Sequence, residues 1–389
     1  WSESDFARIV VAFTAAYAIG LLLFGRLIDR VGTKIGYSLA VVIWSVMGML
    51  HAAAKTVTGF SLARVGLGLG EAGNFPAAMK TVAEWFPKKE RGLAAGIFNS
   101  GTSIGVVIAL LITPWILVNM GWQQVFIITG ALGFLWLILW VWLYEIPAKQ
   151  KYLSRDEFLL ITERQEDTPQ EETRPTKWIR LFTFPQTWAF IFGKFLIDPI
   201  FWFFLFWLPS YFSSTFHLDL TRPSPELMII YSATTVGSIA GGYLSSRLIK
   251  RGMAALKARK TILFIIAILE LSIIFAQYVT NVWAAVALIS LAVASHQAWA
   301  TNIFTAASDM FPKQAVSSVV GIGGMAGAIG GIFFPVFVGY LLDSYKAAGN
   351  ISGGYNILFT LCGVTYFVTW TIIYLLTRKR SIVSLTEIQ

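Results

Sequence analysis

Arg64 and Glu71 carry the first functional argument, because each is an ionisable side chain set in the middle of a long apolar stretch. A charge at the centre of such a stretch costs roughly 2.5 to 3.5 kcal/mol to place in a bilayer, so it calls for a partner or a task. Seven residues make two helical turns. Both side chains therefore point to one side of a helix, about 10 Å apart along its axis, and can bracket a bound molecule. The plainer reading is an ion-pair network that locks helices together. Lys194 and Asp198, four residues apart, can close on each other as a salt bridge or leave Lys194 for a ligand, and Pro199 predicts a kink in that helix. His296, Trp299 and Asn302 recur every three residues and offer a hydrogen-bonding ring, a stacking face and an amide. Gln297 lies one residue round, so of Gln297 and His296 one faces a cavity and the other a helix. A lone histidine in such a setting is also often just bonded to a neighbouring helix.

These residues need elements to hold them, and hydropathy supplies eleven: segments near 5–28, 35–54, 58–83, 92–117, 123–144, 187–213, 226–247, 261–279, 282–306, 315–342 and 354–377. With 56% hydrophobic residues and a mean hydropathy of +0.67, the chain is expected to be an all-α polytopic membrane protein. The formal charge of +9 suggests nucleic acid only until position is considered. Of 30 Lys and Arg, 23 fall in alternate connections and the tail, four (Arg8, Lys55, Arg222, Lys346) fall opposite, and Arg64, Lys80 and Lys194 lie within spans. The positive-inside rule then puts the C-terminus in the cytoplasm and Trp1 outside. The odd count and the start at Trp1 predict that a first helix precedes this chain. Cys362, the single cysteine, permits no intrachain disulfide and reads as packing.

A polar stretch from Glu145 to Arg180, with Pro147, Pro169 and Pro175, reads as a linker between two bundles. The predicted organisation is an N-terminal bundle over 1–144, a cytoplasmic linker over 145–186, and a C-terminal bundle with a short tail over 187–389. Within the linker, Ser154 and Glu157 have capping-box spacing ahead of Phe158–Ile161, predicting a short surface helix. The two halves echo each other. Glu84-Trp85-Phe86-Pro87-Lys88 recurs as Asp309-Met310-Phe311-Pro312-Lys313, 225 residues on, and the Gly25 to Arg30 pattern recurs as Gly242 to Arg247, 217 residues on. Parallel repeats of this kind place a ligand between halves that rock about it. The 225-residue offset carries Glu71 onto His296 and Asn74 onto Trp299, so these should lie at similar depth. Gly92, Gly96, Gly101 and Gly105, and Gly323, Gly327 and Gly331, would allow close contact between helices.

The run Gly25-Arg26-Leu27-Ile28-Asp29-Arg30-Val31-Gly32-Thr33-Lys34 resembles the loop between the second and third helices of the major facilitator superfamily. Arg64 to Ala77, followed by Trp85 to Gly92, is similar to the anion:cation symporter branch, and Gly193 to Pro199 with Ser295 to Ala298 look most like its hexuronate transporters. The likeness covers essentially the whole chain. It implies two six-helix bundles, with the missing span as the family's first. It also implies that Arg64 holds a substrate carboxylate and Glu71 couples protons. A sugar acid needs hydrogen bonds for its hydroxyls and an aromatic for its C–H face, which His296, Gln297, Trp299 and Asn302 would provide. Tyr17, Asn99 and Thr102 are carried over by position, and Asn74 and Lys194 complete the expected substrate set. Gly25, Asp29, Arg30, Gly32, Arg91 and Asp198 are the expected gating set. Asp29 would cap a helix end or pair with a base such as Arg91, whereas the second-half copy has Ser246 in its place. In the resembling galactonate carriers an Asp and an Arg on the first helix share these tasks, and that helix is absent here.

No phosphate-binding glycine loop and no His/Cys cluster at metal-ligand spacing occur in the sequence, so gradient-driven transport is expected, without cofactor or metal. The expectation is a non-enzymatic, monomeric carrier in a bacterial inner membrane, importing glucuronate or galacturonate by proton symport, with sodium open as coupling ion. The alternatives are a galactonate or other organic-anion symporter, an organophosphate exchanger holding a dianion between bases of both halves, and a sugar-acid sensor signalling through the linker. Glu71 would repel a phosphate.

Overall fold

A computed structural model describes residues 3–162, 178–218, 224–378 and 382–384. Pro169 and Pro175 of the linker, Arg222, and the bases Arg164, Arg174, Lys177, Lys379 and Arg380 lie outside the described residues. The described chain is helical, with no strand. The first half comprises α1 (Glu3–Val31), α2 (Thr33–Leu50), α3 (Val57–Glu71), α4 (Asn74–Trp85), α5 (Lys88–Met120) and α6 (Trp122–Leu143). After a short helix α7 (Arg155–Thr162), the second half comprises α8 (Pro185–Phe195), α9 (Asp198–Phe216), α10 (Pro225–Lys250), α11 (Ala255–Glu270), α12 (Ser272–Ala276), α13 (Val282–Met310), α14 (Val316–Ala347) and α15 (Ile351–Leu376).

Helix is the form these segments must take, since in hydrocarbon every backbone polar group has to be satisfied within the segment. The outward faces stay apolar: Trp142, Val118, Val236 and Phe333 are 66% exposed or more, as lipid contact requires. All eleven expected segments are helical. Among the described residues eight stretches, one of them the broken pair α8–α9, are long and apolar enough to cross a membrane. The other three are α5, whose first half is rich in Gly, Ser and charge, and the interrupted pairs α3–α4 and α11–α12. Interruption is a recurring device here, with an acid at each break. Glu71 ends α3, Asp198 starts α9 three residues after α8 stops, and Glu270 ends α11. The capping box of α7 forms as expected, Ser154 N–H donating to Glu157 and Glu157 N–H to Ser154 Oγ (3.0 and 3.2 Å).

The halves meet through α1 on α14 and α5 on α10, with α4 wedged against α14 and α13. Backbones approach closely there: a Cβ on Gly25 would sit 2.5 Å from the Ser317 carbonyl oxygen. Gly92 and Gly96 likewise abut the α10 backbone at Gly242 and Ser238, but Gly101 and Gly105 face open space, which corrects the expectation that all four pack helices. Gly32 turns the chain from α1 into α2 at φ 87°, a left-handed conformation suited to glycine.

Candidate functional site

Arg64 sits midway along α3, part-exposed, 5.8 Å from the centroid of the Phe13 ring on α1. It makes no ion pair among the described residues; Glu71, two turns on, feels its charge but does not close on it. Tyr17 on α1 stacks on Phe13 (5.8 Å between centroids) and lies within electrostatic reach of both Glu71 and Asp198.

Across from it, Lys194 Nζ donates to Asp198 (2.7 Å), although the helix breaks between them, and lies 4.1 Å from the centroid of the Phe304 ring. Gly327 on α14 leaves the room Asp198 occupies, since a Cβ there would collide with its carboxylate. Below Lys194, Phe304 stacks on Phe75 (5.1 Å), with Phe98 and Phe190 completing an aromatic floor drawn from α4, α5, α8 and α13.

The expected polar readers divide. Gln297 faces the other half, its Oε1 accepting from Asn99 Nδ2 at 2.9 Å, while Asn99 also bonds Ser238 (3.0 Å). His296 faces into its own half, bonded to Tyr366 through Nδ1 (2.5 Å) and stacked on Phe201. Trp299 and Asn302 lie in the core: Trp299 Nε1 donates to the Gly193 carbonyl (3.4 Å), and Asn302 donates to the Gly241 and Ala298 carbonyls (3.0 and 2.9 Å). Asn74 accepts from Tyr37 (2.9 Å), and Thr102 is exposed on α5.

Every hydrogen bond joining the halves among the described residues lies between the basic end of the bundle and the Thr234–Ser103 contact (2.8 Å). That end is closed in two layers. Ser317 donates to the Pro76 carbonyl, and the Ser318 N–H donates to Asp29 at 2.7 Å. Of the two expectations for Asp29, the helix-end contact forms, at the start of α14, while its base is Lys80 of α4 (2.9 Å) rather than Arg91, and Lys80 is buried with it. Arg91 instead donates to the Ser308 and Ala83 carbonyls and, at 3.4 Å, to Asp309, which also holds Arg259 of the second half (3.1 Å). Arg30 is exposed and takes no part.

The repeat predicts the seal's symmetry. Leu93 N–H donates to Ser246 Oγ (3.2 Å), and adding 225 to Leu93 gives Ser318, whose N–H bonds Asp29, the counterpart of Ser246. Each latch thus joins the basic-end tip of one helix to the opening amides of a helix in the other half, with an acid in one copy and a hydroxyl in the other. Three buried residues went unassigned in the sequence: Lys80, Arg259 and Glu270. Lys80 and Glu270 were legible as ionisable groups inside apolar runs; Arg259 was not, because it stands among the bases of a connection.

The model of the Major Facilitator Superfamily matches residues 1–335. The chain is 31% identical to the hexuronate transporter of Escherichia coli K12 over 96% of this chain and 86% of that protein. It is 32% identical to the galacturonate transporter of Dickeya chrysanthemi over 62% of this chain and 71% of that one, and 27% identical to an E. coli D-galactonate transporter over 89% and 82%. Among solved structures it resembles the proton:xylose symporter XylE (TM-score 0.70, 15% identity, 96% and 88% covered) and the E. coli fucose:proton symporter (0.68, 15%, 96% and 91%). With its described residues all in helices and loops, eight of the helical stretches apolar enough to cross a membrane, and a seal at one end, the chain belongs to the major facilitator superfamily and is a multi-pass membrane transporter rather than an enzyme.

Proposed function

We propose that the protein imports a hexuronate, glucuronate or galacturonate, by proton symport across a bacterial inner membrane, its basic end and C-terminus facing the cytoplasm. The relatives named above act on such sugar acids, and the charge asymmetry supports the orientation. The observation that carries the reading is Arg64: an intramembrane guanidinium with no ion-pair partner among the described residues, on the same helix face as Glu71. A substrate carboxylate supplies the missing partner. Glu71 at the end of α3, with Tyr17 beside it, is the proton site, and the closed basic end makes this the state that loads from outside. Lys194 is already neutralised by Asp198, which argues against a phosphate dianion held between bases of both halves.

The test is uptake of labelled glucuronate and galacturonate into proteoliposomes under an imposed pH gradient. Wild type accumulates label. Glu71→Gln loses accumulation but keeps exchange, and Arg64→Ala weakens binding about 10- to 150-fold, the loss of one charged hydrogen bond worth about 1.5 to 3 kcal/mol. Gradient-independent uptake by wild type, or undiminished binding by Arg64→Ala, overturns it.

A further inference from the structure

Glu270 is fully buried at the end of α11, and neither carboxyl oxygen has a hydrogen-bond partner. Among the described residues no ion pair or hydrogen bond offsets the cost of burying a bare carboxylate there, a cost that carrying a proton removes. Within its electrostatic reach on α15 are Cys362 and Tyr366. Tyr366 in turn bonds His296 of α13, whose ring stacks on Phe201 of α9, while the nearby Lys194 charge opposes a positive charge on that ring in this state. Side by side, Glu270, Tyr366 and His296 run from the interior of the second half toward the Lys194–Asp198 pair.

The backbone adds an independent sign. Glu270 stands at one of three helix interruptions, and the acids at the other two, Glu71 and Asp198, border the central site. Discontinuous helices leave carbonyls and amides free to move and are where transporters bind ions. On the far side of the α11–α12 break Ser272 donates to the Leu288 carbonyl (3.0 Å), while Ser290 of α13 has a buried hydroxyl without a hydrogen-bond partner among the described residues.

The geometry points to Glu270 as a second proton-carrying carboxyl, in the second half, that exchanges its proton with the central site through Tyr366 and His296. The transfer belongs to the other state, with the His296 ring moved away from the Lys194 charge that opposes it here, and it balances as a relay: Tyr366 gives its hydroxyl proton to His296 Nδ1 as it takes the proton of Glu270, leaving a carboxylate on Glu270, an imidazolium on His296 and Tyr366 unchanged. Among the described residues no hydrogen bond joins Glu270 to Tyr366, so in this state, closed at the basic end, the proton is locked in. Movement at the α11–α12 break during the swing to the other state closes the link.

The assignment rests on the symport reading above, so its test includes one readout that does not. Infrared difference spectra of the purified full-length protein, taken between acid and alkaline pH and with and without D-glucuronate and D-galacturonate, report protonated carboxyls directly. Expected is a protonated-carboxyl band that falls at alkaline pH or on adding sugar acid and is absent from Glu270→Gln. No band removed by that substitution, or a band indifferent to both pH and sugar acid, overturns the proposal. In proteoliposomes, Glu270→Gln should keep exchange, which shows that it folds, while its proton-to-substrate ratio drops by one. An unchanged ratio also overturns it, whereas a wild type that moves sugar acid without protons sinks the symport reading and leaves the infrared result to decide on Glu270.

Discussion

The two latches at the basic end are related by the repeat but differ in charge, and that difference predicts an unequal response to mutation. Asp29→Asn replaces a charged acceptor of the Ser318 N–H, 2.7 Å away in the other half, by a neutral one. Hydrogen bonds to charged groups contribute about 1.5 to 3 kcal/mol and neutral ones about 0.5 to 1.5. Only this contact is broken when the halves part, because Lys80, the ion-pair partner of Asp29, belongs to the same half. Losing about 1 to 1.5 kcal/mol of it tilts the equilibrium about 5- to 12-fold toward the state open at the basic end. Orphaning buried Lys80 costs both states alike and appears as a lower Tm. Ser246→Ala removes the neutral counterpart to Leu93 N–H at 3.2 Å, worth at most about 1.5 kcal/mol and less at that length, with no buried charge left behind. The populations can be read from distances between spin labels on Arg30→Cys and Arg251→Cys, both exposed and in different halves, since native Cys362 is buried and takes no label. Asp29→Asn should lengthen the distance and lower Tm, whereas Ser246→Ala should do less of the first and none of the second. Equal shifts, or an unchanged distance in Asp29→Asn, would refute the reasoning.

Asp309→Asn leaves Arg91 and Arg259 facing each other in the core without their shared carboxylate, a loss of about 3 to 5 kcal/mol that should be seen as a large fall in Tm and a loosened basic end. Glu145, at the end of the first half, accepts from Lys34 at 3.1 Å, and that bond holds its carboxyl below the usual range. A depressed carboxyl stabilises the fold above its unfolded pKa, and that stability is lost as pH falls through the folded value. The pair is a third exposed, so Glu145→Gln should lower Tm only slightly at neutral pH, by less than about 1 kcal/mol, with the difference vanishing in acid. A difference that grows in acid would show that Glu145 acts otherwise.

What the sequence carried well is local. Apolar length marked the eleven helical segments, four-residue spacing set the Lys194–Asp198 pair, and the Ser154–Glu157 spacing set the cap of α7. What it did not carry depends on how helices rotate and at what depth they meet. Nothing in the neighbourhood of Asp29 says that Lys80, 51 residues on, reaches it before Arg91 does. Three-residue spacing put Trp299 and Asn302 near His296, but it cannot say whether that stripe faces a cavity or a neighbouring helix, and their bonds go to backbone carbonyls of α8, α10 and α13. Glu270 looked like one acid in a long apolar run, and only its burial and its unpartnered oxygens single it out.

The three helix breaks join these observations into one argument about coupling. A carrier of this architecture has to change the surroundings of a titrating group when its halves rock, and a carboxyl in the middle of an intact helix moves only as the whole helix moves. Glu71, Asp198 and Glu270 each stand where backbone hydrogen bonding is already interrupted, so their surroundings can change with a small local adjustment. Their present environments differ among the described residues: Glu71 feels the Arg64 guanidinium two turns away, Asp198 is on its own lysine, and the Glu270 oxygens have no hydrogen-bond partner. Of the three, Asp198 is the one whose charge is already balanced in this state, which fits it for holding Lys194 over the Phe304 ring and, on the symport reading proposed above, leaves proton carriage to the two glutamates. A variant that frees Lys194, Asp198→Asn, should then alter the balance between inward and outward states more than it alters the number of protons moved.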